Sequence, residues 1–131
     1  MTAVATRAPA GLGTAAPRPD GAAKVSGRFA YASDERAAGM LWGATLRSPH
    51  PHALVTRIDV SPALAIPGVH AVVTAADVPG RPTFGLERPD QPVFASSVVR
   101  YAGESVAAVA ADHPDTARRA AAAVAVDYEP L

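Results

Sequence analysis

The chain has 131 residues, enough for one ordinary domain, and its 12 basic residues balance 12 acidic ones with no run of one sign. That balance excludes the basic stripe of a nucleic-acid or anionic-membrane surface, and the absence of cysteine excludes disulfides, thiolate metal sites, iron–sulfur ligation and a cysteine nucleophile. Apolar residues reach 49%, but 31 of them are alanine, so the expected core is thin and built from small side chains. No apolar run approaches the ~18 residues of a membrane span, and no secretory signal opens the chain, so a soluble cytoplasmic domain is expected.

Residues 1–19 are rich in Ala, Pro, Gly and Thr and read as a flexible tail, followed by one domain over 20–131. Asp20-Gly21 reads as a turn, with a short strand near Lys24 to Tyr31. Gly39 to Arg47 alternates, placing Met40, Trp42, Ala44 and Leu46 on one face. Ala53 to Val60 alternates again, with Leu54, Thr56, Ile58 and Val60 opposed to Val55, Arg57 and Asp59. Ser61-Pro62 reads as an N-cap with proline at the first helical position, opening one turn that Pro67-Gly68 stops. Val69 to Thr74 is a β-branched strand.

Residues 78–92 contain four prolines and two glycines and show no periodicity, so they read as a long shaped loop. A short turn is expected at Ala95 to Val99. Ser105 to Ala111 is a nearly continuous apolar strand, buried on both faces. Pro114 opens a helix through Ala123, with Ala117, Ala120, Ala121 and Val124 inward and Arg118, Arg119 and Ala122 outward. Val124 to Glu129 is a last strand. Strands outnumber helices, and the class is α+β.

Four chemical motifs fail on context. Gly11-Leu12-Gly13-Thr14-Ala15-Ala16 fits the loose dinucleotide fingerprint, but no strand precedes it, and Pro17 and Pro19 prevent the helix that would hold a pyrophosphate. His50-Pro51-His52 has zinc-like spacing, yet only His70 and His113 remain as further histidines and the prolines favour a turn. Gly103-Glu104-Ser105-Val106-Ala107 approaches a nucleophile elbow, but its strand follows the serine instead of preceding it. Asp34 with Glu35, and Glu87 with Asp90, lack the burial that separates an acid from a base. The scattered arginines, Arg47 among them, read as surface ion pairs.

The chain as a string of phrases is more informative. Arg18-Pro19-Asp20-Gly21-Ala22-Ala23-Lys24-Val25-Ser26-Gly27 is followed by Gly39-Met40-Leu41-Trp42-Gly43 and Arg47-Ser48-Pro49-His50-Pro51-His52-Ala53. Pro67-Gly68-Val69-His70-Ala71-Val72, Ala76-Asp77-Val78-Pro79-Gly80, Arg100-Tyr101-Ala102-Gly103-Glu104 and Val126-Asp127-Tyr128-Glu129-Pro130-Leu131 come in order. Over residues 18–131 this resembles the N-terminal α/β-hammerhead domain of the molybdenum subunit in the xanthine dehydrogenase/aldehyde oxidase family. Ser105 stands where that family usually has proline, a substitution tolerable at the start of a strand.

The resemblance implies a hammerhead fold with one short and one longer helix. It also implies a component of a molybdenum hydroxylase, which oxidises a carbon centre with oxygen derived from water. In that family the molybdopterin contacts, the substrate-orienting residues and the catalytic glutamate lie in later segments. No catalytic, cofactor-binding or metal residue is therefore assigned in this chain, which alone is expected to be inactive. Molybdopterin, iron–sulfur clusters and FAD are expected in the complete enzyme. The implied partners are the remainder of the molybdenum subunit and the iron–sulfur and flavin subunits or domains. The family loop matching 78–92 borders the substrate channel, so Phe84, Gly85 and Leu86 are expected to line substrate access; alternatively, Phe84 and Leu86 tuck under the loop as a satellite cluster. A free-standing interaction module is the rival function. A biotinyl or lipoyl carrier is disfavoured because the one lysine, Lys24, lies near the start.

Overall fold

The structure is a computed structural model that describes Gly13 and residues 18–131. The tail expected over 1–19 and the fingerprint at Gly11 to Ala16 fall almost wholly outside the described residues. The chain divides into two compact units, one up to Ala37 and one from Ala38 to Leu131.

In the first unit, helix α1 covers Gly21–Val25, in place of the strand expected near Lys24. Ala22, Ala23 and Lys24 are good helix formers, and Lys24 reaches back one turn to Asp20, Nζ to carboxylate 2.6 Å. Gly27, at φ +69°, ends the helix, and the Arg28 amide donates to the Ala23 carbonyl at 2.9 Å. The Lys24 ammonium also sits 4.6 Å from the centre of the Phe29 ring, which packs edge-on against Tyr31. These local contacts outweigh the weak strand propensity of the segment.

The second unit holds two three-stranded antiparallel sheets. In the first, β1 (Trp42–Arg47) and β3 (Val69–Thr74) flank β7 (Ser105–Ala111). In the second, β6 (Val98–Val99) and β8 (Ala125–Pro130) flank β2 (Ala53–Asp59). Helix α2 (Ser61–Leu64) leads into β3, and α3 (Pro114–Ala123) joins β7 to β8. The alternation expected over Gly39 to Arg47 holds from Trp42 on, with Trp42, Ala44 and Leu46 turned inward, whereas Met40 precedes the strand and is exposed.

In β2 the alternation breaks. The register against β8 shifts between Val55 and Arg57, so Val55 and Ile58 both pack on the core and Thr56 is turned out. The short turn expected at 95–99 contains the two-residue strand β6, paired with Ala53 and Leu54. The α2 cap also differs from expectation: the N-cap position falls on Val60 instead of Ser61, and Asp59 Oδ1 accepts from the Ser61 amide at 3.0 Å.

Every fully buried apolar residue among the described ones is alanine or valine. One cluster joins Ala107 and Val109 of β7 to Ala120, Ala121 and Val124, as the helical stripe requires. The other joins Val106, on the opposite face of β7, to Ala53, Ala95 and Val99. Ile58 and Val126, directly opposed across β2 and β8, touch both clusters. Alanine lets these elements approach closely, and the helix ends where the chain needs a strand. The α+β hammerhead class stands, with strands in small sheets and few helices.

Candidate functional site

The loop expected over 78–92 is a small hairpin. Strand β4 (Thr83–Phe84) pairs antiparallel with β5 (Gln91–Pro92), Thr83 opposite Pro92 and Phe84 opposite Gln91. The Val93 amide donates to the Pro82 carbonyl at 3.0 Å, extending the ladder by one bond. Four prolines leave few amides to pair, so periodicity is absent although the backbone is regular.

Phe84, Gly85 and Leu86 lie at the start of the turn. Gly85 has φ +155°, and a Cβ there would stand 1.9 Å from the Arg88 carbonyl oxygen, so the turn requires glycine. That approach places Leu86 wholly in solvent, at 103% of its reference exposure, with Phe84 at 51%. Leu86 is not tucked under the loop, and the satellite-cluster alternative fails for it. At the base of the hairpin a hollow of about 250 Å³ is lined by Val73, Val78, Pro79, Val93 and Phe94. The hairpin thus presents two uncovered apolar side chains beside an apolar hollow, flanked by exposed Arg81, Glu87, Arg88 and Asp90.

A second constellation was not legible in the sequence. Ser48 and Glu104 are the two buried polar residues among the described ones, each 3% exposed. The Ser48 amide donates to the Glu104 carbonyl at 2.9 Å, and the Gly103 amide donates to the Ser48 carbonyl at 2.8 Å. The Glu104 carboxylate accepts from the Arg100 amide at 2.5 Å and lies 3.4 Å from the Arg100 guanidinium. Arg47 donates to the Gly103 carbonyl at 2.8 Å instead of forming the expected ion pair.

Ser48 also bonds to Tyr128, whose hydroxyl is held above its ordinary range, chiefly by burial, with the Ser48 bond acting the other way. The arrangement ties the turn after β1 to the turn before β7. Its partners are all satisfied, and it has no accessible base beside a nucleophile, so it is structural. The signal in the sequence was faint: a Gly-Glu pair before an apolar strand and a serine before a proline.

The rejected motifs sort in the same way. The His50 ring packs edge-on against Tyr128 at 4.9 Å, and the His52 carbonyl accepts from the Leu131 amide at 3.1 Å, as a turn allows. His70 bonds to Asp112 at 2.6 Å, and His113 Nδ1 accepts from the Asp115 amide at the start of α3. Ser105 is the first residue of β7, so the elbow order is absent. Asp34 accepts from the Tyr31 amide, and Glu35, Glu87 and Asp90 are exposed. Among the described residues no three of His, Cys, Asp and Glu gather where a metal ion could be held.

Residues 26–131 match the family described as aldehyde oxidase and xanthine dehydrogenase, a/b hammerhead domain. The chain is 45% identical over 114 residues to a probable xanthine dehydrogenase subunit of Bacillus subtilis, covering 87% of this chain and 15% of that protein. Among solved structures, the aldehyde oxidoreductase of Desulfovibrio gigas superposes with a TM-score of 0.80 at 36% identity, over 88% of this chain and 14% of that one. The quinoline 2-oxidoreductase of Pseudomonas putida 86 gives 0.80 at 38%, over 91% and 16%. The chain therefore spans about one-sixth or less of these relatives. It belongs to the aldehyde oxidase and xanthine dehydrogenase α/β-hammerhead family, whose members are oxidoreductases.

Proposed function

We propose that the chain is the hammerhead part of a molybdenum hydroxylase, with an architectural and substrate-access role and no catalytic group of its own. Membership of the family favours this over a free-standing interaction module. One observation carries the access role: Leu86 is fully exposed on a hairpin held in shape by Gly85 and four prolines. Leu86 and the half-exposed Phe84 together form an exposed apolar pair on this hairpin, whose base borders a hollow lined by Val73, Val78 and Val93. Phe84, Gly85 and Leu86 line the approach to a reacting centre carried by the remainder of the molybdenum subunit. That remainder binds the molybdopterin, and iron–sulfur and flavin subunits or domains take the electrons away. The complex works in the cytoplasm; no helix among the described residues is long and apolar enough to cross a membrane.

Elemental analysis tests the division of labour. The assembled enzyme is expected to hold stoichiometric molybdenum and oxidise its substrate. The 131-residue chain purified alone is expected to do neither. Stoichiometric molybdenum in the lone chain would contradict the proposal.

A further inference from the structure

A cleft of about 570 Å³ opens between β2 and β3. Val55, Thr56 and Ile58 wall one side and Val72 and Thr74 the other, with Ser96 at its mouth. No residue of β7 or β8 lines it, so it lies on the sides of β3 and β2 turned away from those partners. On that side β2 pairs with β6 only through Ala53 and Leu54, and the Val55 amide bonds once more, to the Ser97 carbonyl. Thr56 to Asp59 have no strand beside them there among the described residues, and β3 pairs with β7 alone. Two incomplete strand edges thus border one cleft, where Val55, Ile58 and Val72 alternate with the polar Thr56 and Thr74 and the charged Arg57 and Asp77. Such edges are templates for an added strand.

We propose that an extended segment of the remainder of the molybdenum subunit enters this cleft as an additional β-strand. The inference rests on the reading that this chain is one part of a longer molybdenum subunit. The relatives supply the reason for that occupant, because 84–86% of each matched solved chain lies outside the region this chain covers. A strand of about five residues fits the open edge. Its alternate residues are apolar toward Val55, Ile58 and Val72 and polar toward solvent.

Hydrogen exchange tests this. The measurement compares this chain alone with the same chain in the assembled molybdenum enzyme, isolated through an affinity tag on this chain. Amides at 55–60 and 72–77 are expected to exchange at least tenfold more slowly in the complex. Ser96→Lys, at an exposed position in the cleft mouth, is expected to weaken the complex at least tenfold, while Ala122→Lys on the outer face of α3 leaves it unchanged. A complex with unchanged exchange at the cleft overturns the added strand and leaves the reading as part of a longer subunit standing. A tagged chain that copurifies with no molybdenum-cofactor-binding polypeptide overturns both. Protection that grows with the concentration of this chain alone assigns the cleft to a second copy and overturns the proposal.

Discussion

The β7–α3 layer and the 78–92 hairpin solve opposite problems with opposite residues. In the layer, Val106, Val109, Ala117 and Ala120 are 0–2% exposed, and nothing larger than valine is fully buried. In the hairpin, the larger side chains Phe84 and Leu86 stand in solvent. A chain needing more stability alone would exchange them, placing bulk inside. The layer carries folding energy, and the hairpin leaves its larger side chains uncovered.

The largest expected break is in the layer. Val109→Ala removes buried methyl groups from a site touched by α3 and is expected to lower unfolding free energy by about 2 kcal/mol in urea titration. A loss near zero would mean the layer is too loosely packed to contrast with the hairpin. Next comes Glu104→Ala, which leaves the Arg100 amide without its acceptor and is expected to cost about 1–3 kcal/mol. Glu104→Gln, which keeps an acceptor oxygen, should restore part of that.

On the hairpin side, Gly85→Ala forces a Cβ against the Arg88 carbonyl. Amide shifts should move over residues 81–93, and the strain is expected to cost about 1 kcal/mol, confined to the hairpin. Shifts spreading into β7 would show that the two regions are coupled.

The smallest effect is on pH dependence. Bonding to the Ser61 amide, helped by Arg57, holds the Asp59 carboxyl below its ordinary value. Its folded pKa is depressed, so its contribution is present above the unfolded value of 3.8 and fades as pH falls below it. Asp59→Asn should flatten that part of the acid limb and leave stability at pH 9 nearly as pH-insensitive as before.

The layer was legible and the hairpin was not, for one physical reason. The Ser105–Ala111 strand and the Pro114–Ala123 helix declare themselves through local pattern: a valine–alanine run, a proline at the start, alanines at helical spacing. The β4–β5 pair shows no pattern because two paired residues per strand are too few for a period. The bulge at Thr56 depends on pairing with Asp127, 71 positions away in the chain, and the Ser48–Glu104 tie on two turns meeting in space. Helix α1 escapes the sequence pattern because its stabilising contacts, Asp20 with Lys24 and the Gly27 stop, outweigh a propensity that favours neither state. At the candidate site, the placing of Phe84, Gly85 and Leu86 on substrate access came from the family resemblance and is a proposal; the structure adds that Phe84 and Leu86 are exposed.

The contrast between the two regions is tested most directly by Leu86→Ala in the assembled enzyme, measured for melting temperature and for KM across a substrate series. The account predicts an unchanged melting temperature, because the side chain buries nothing in this domain, together with a several-fold change in KM or a shift in substrate preference. A lowered melting temperature with KM and substrate range intact would contradict it.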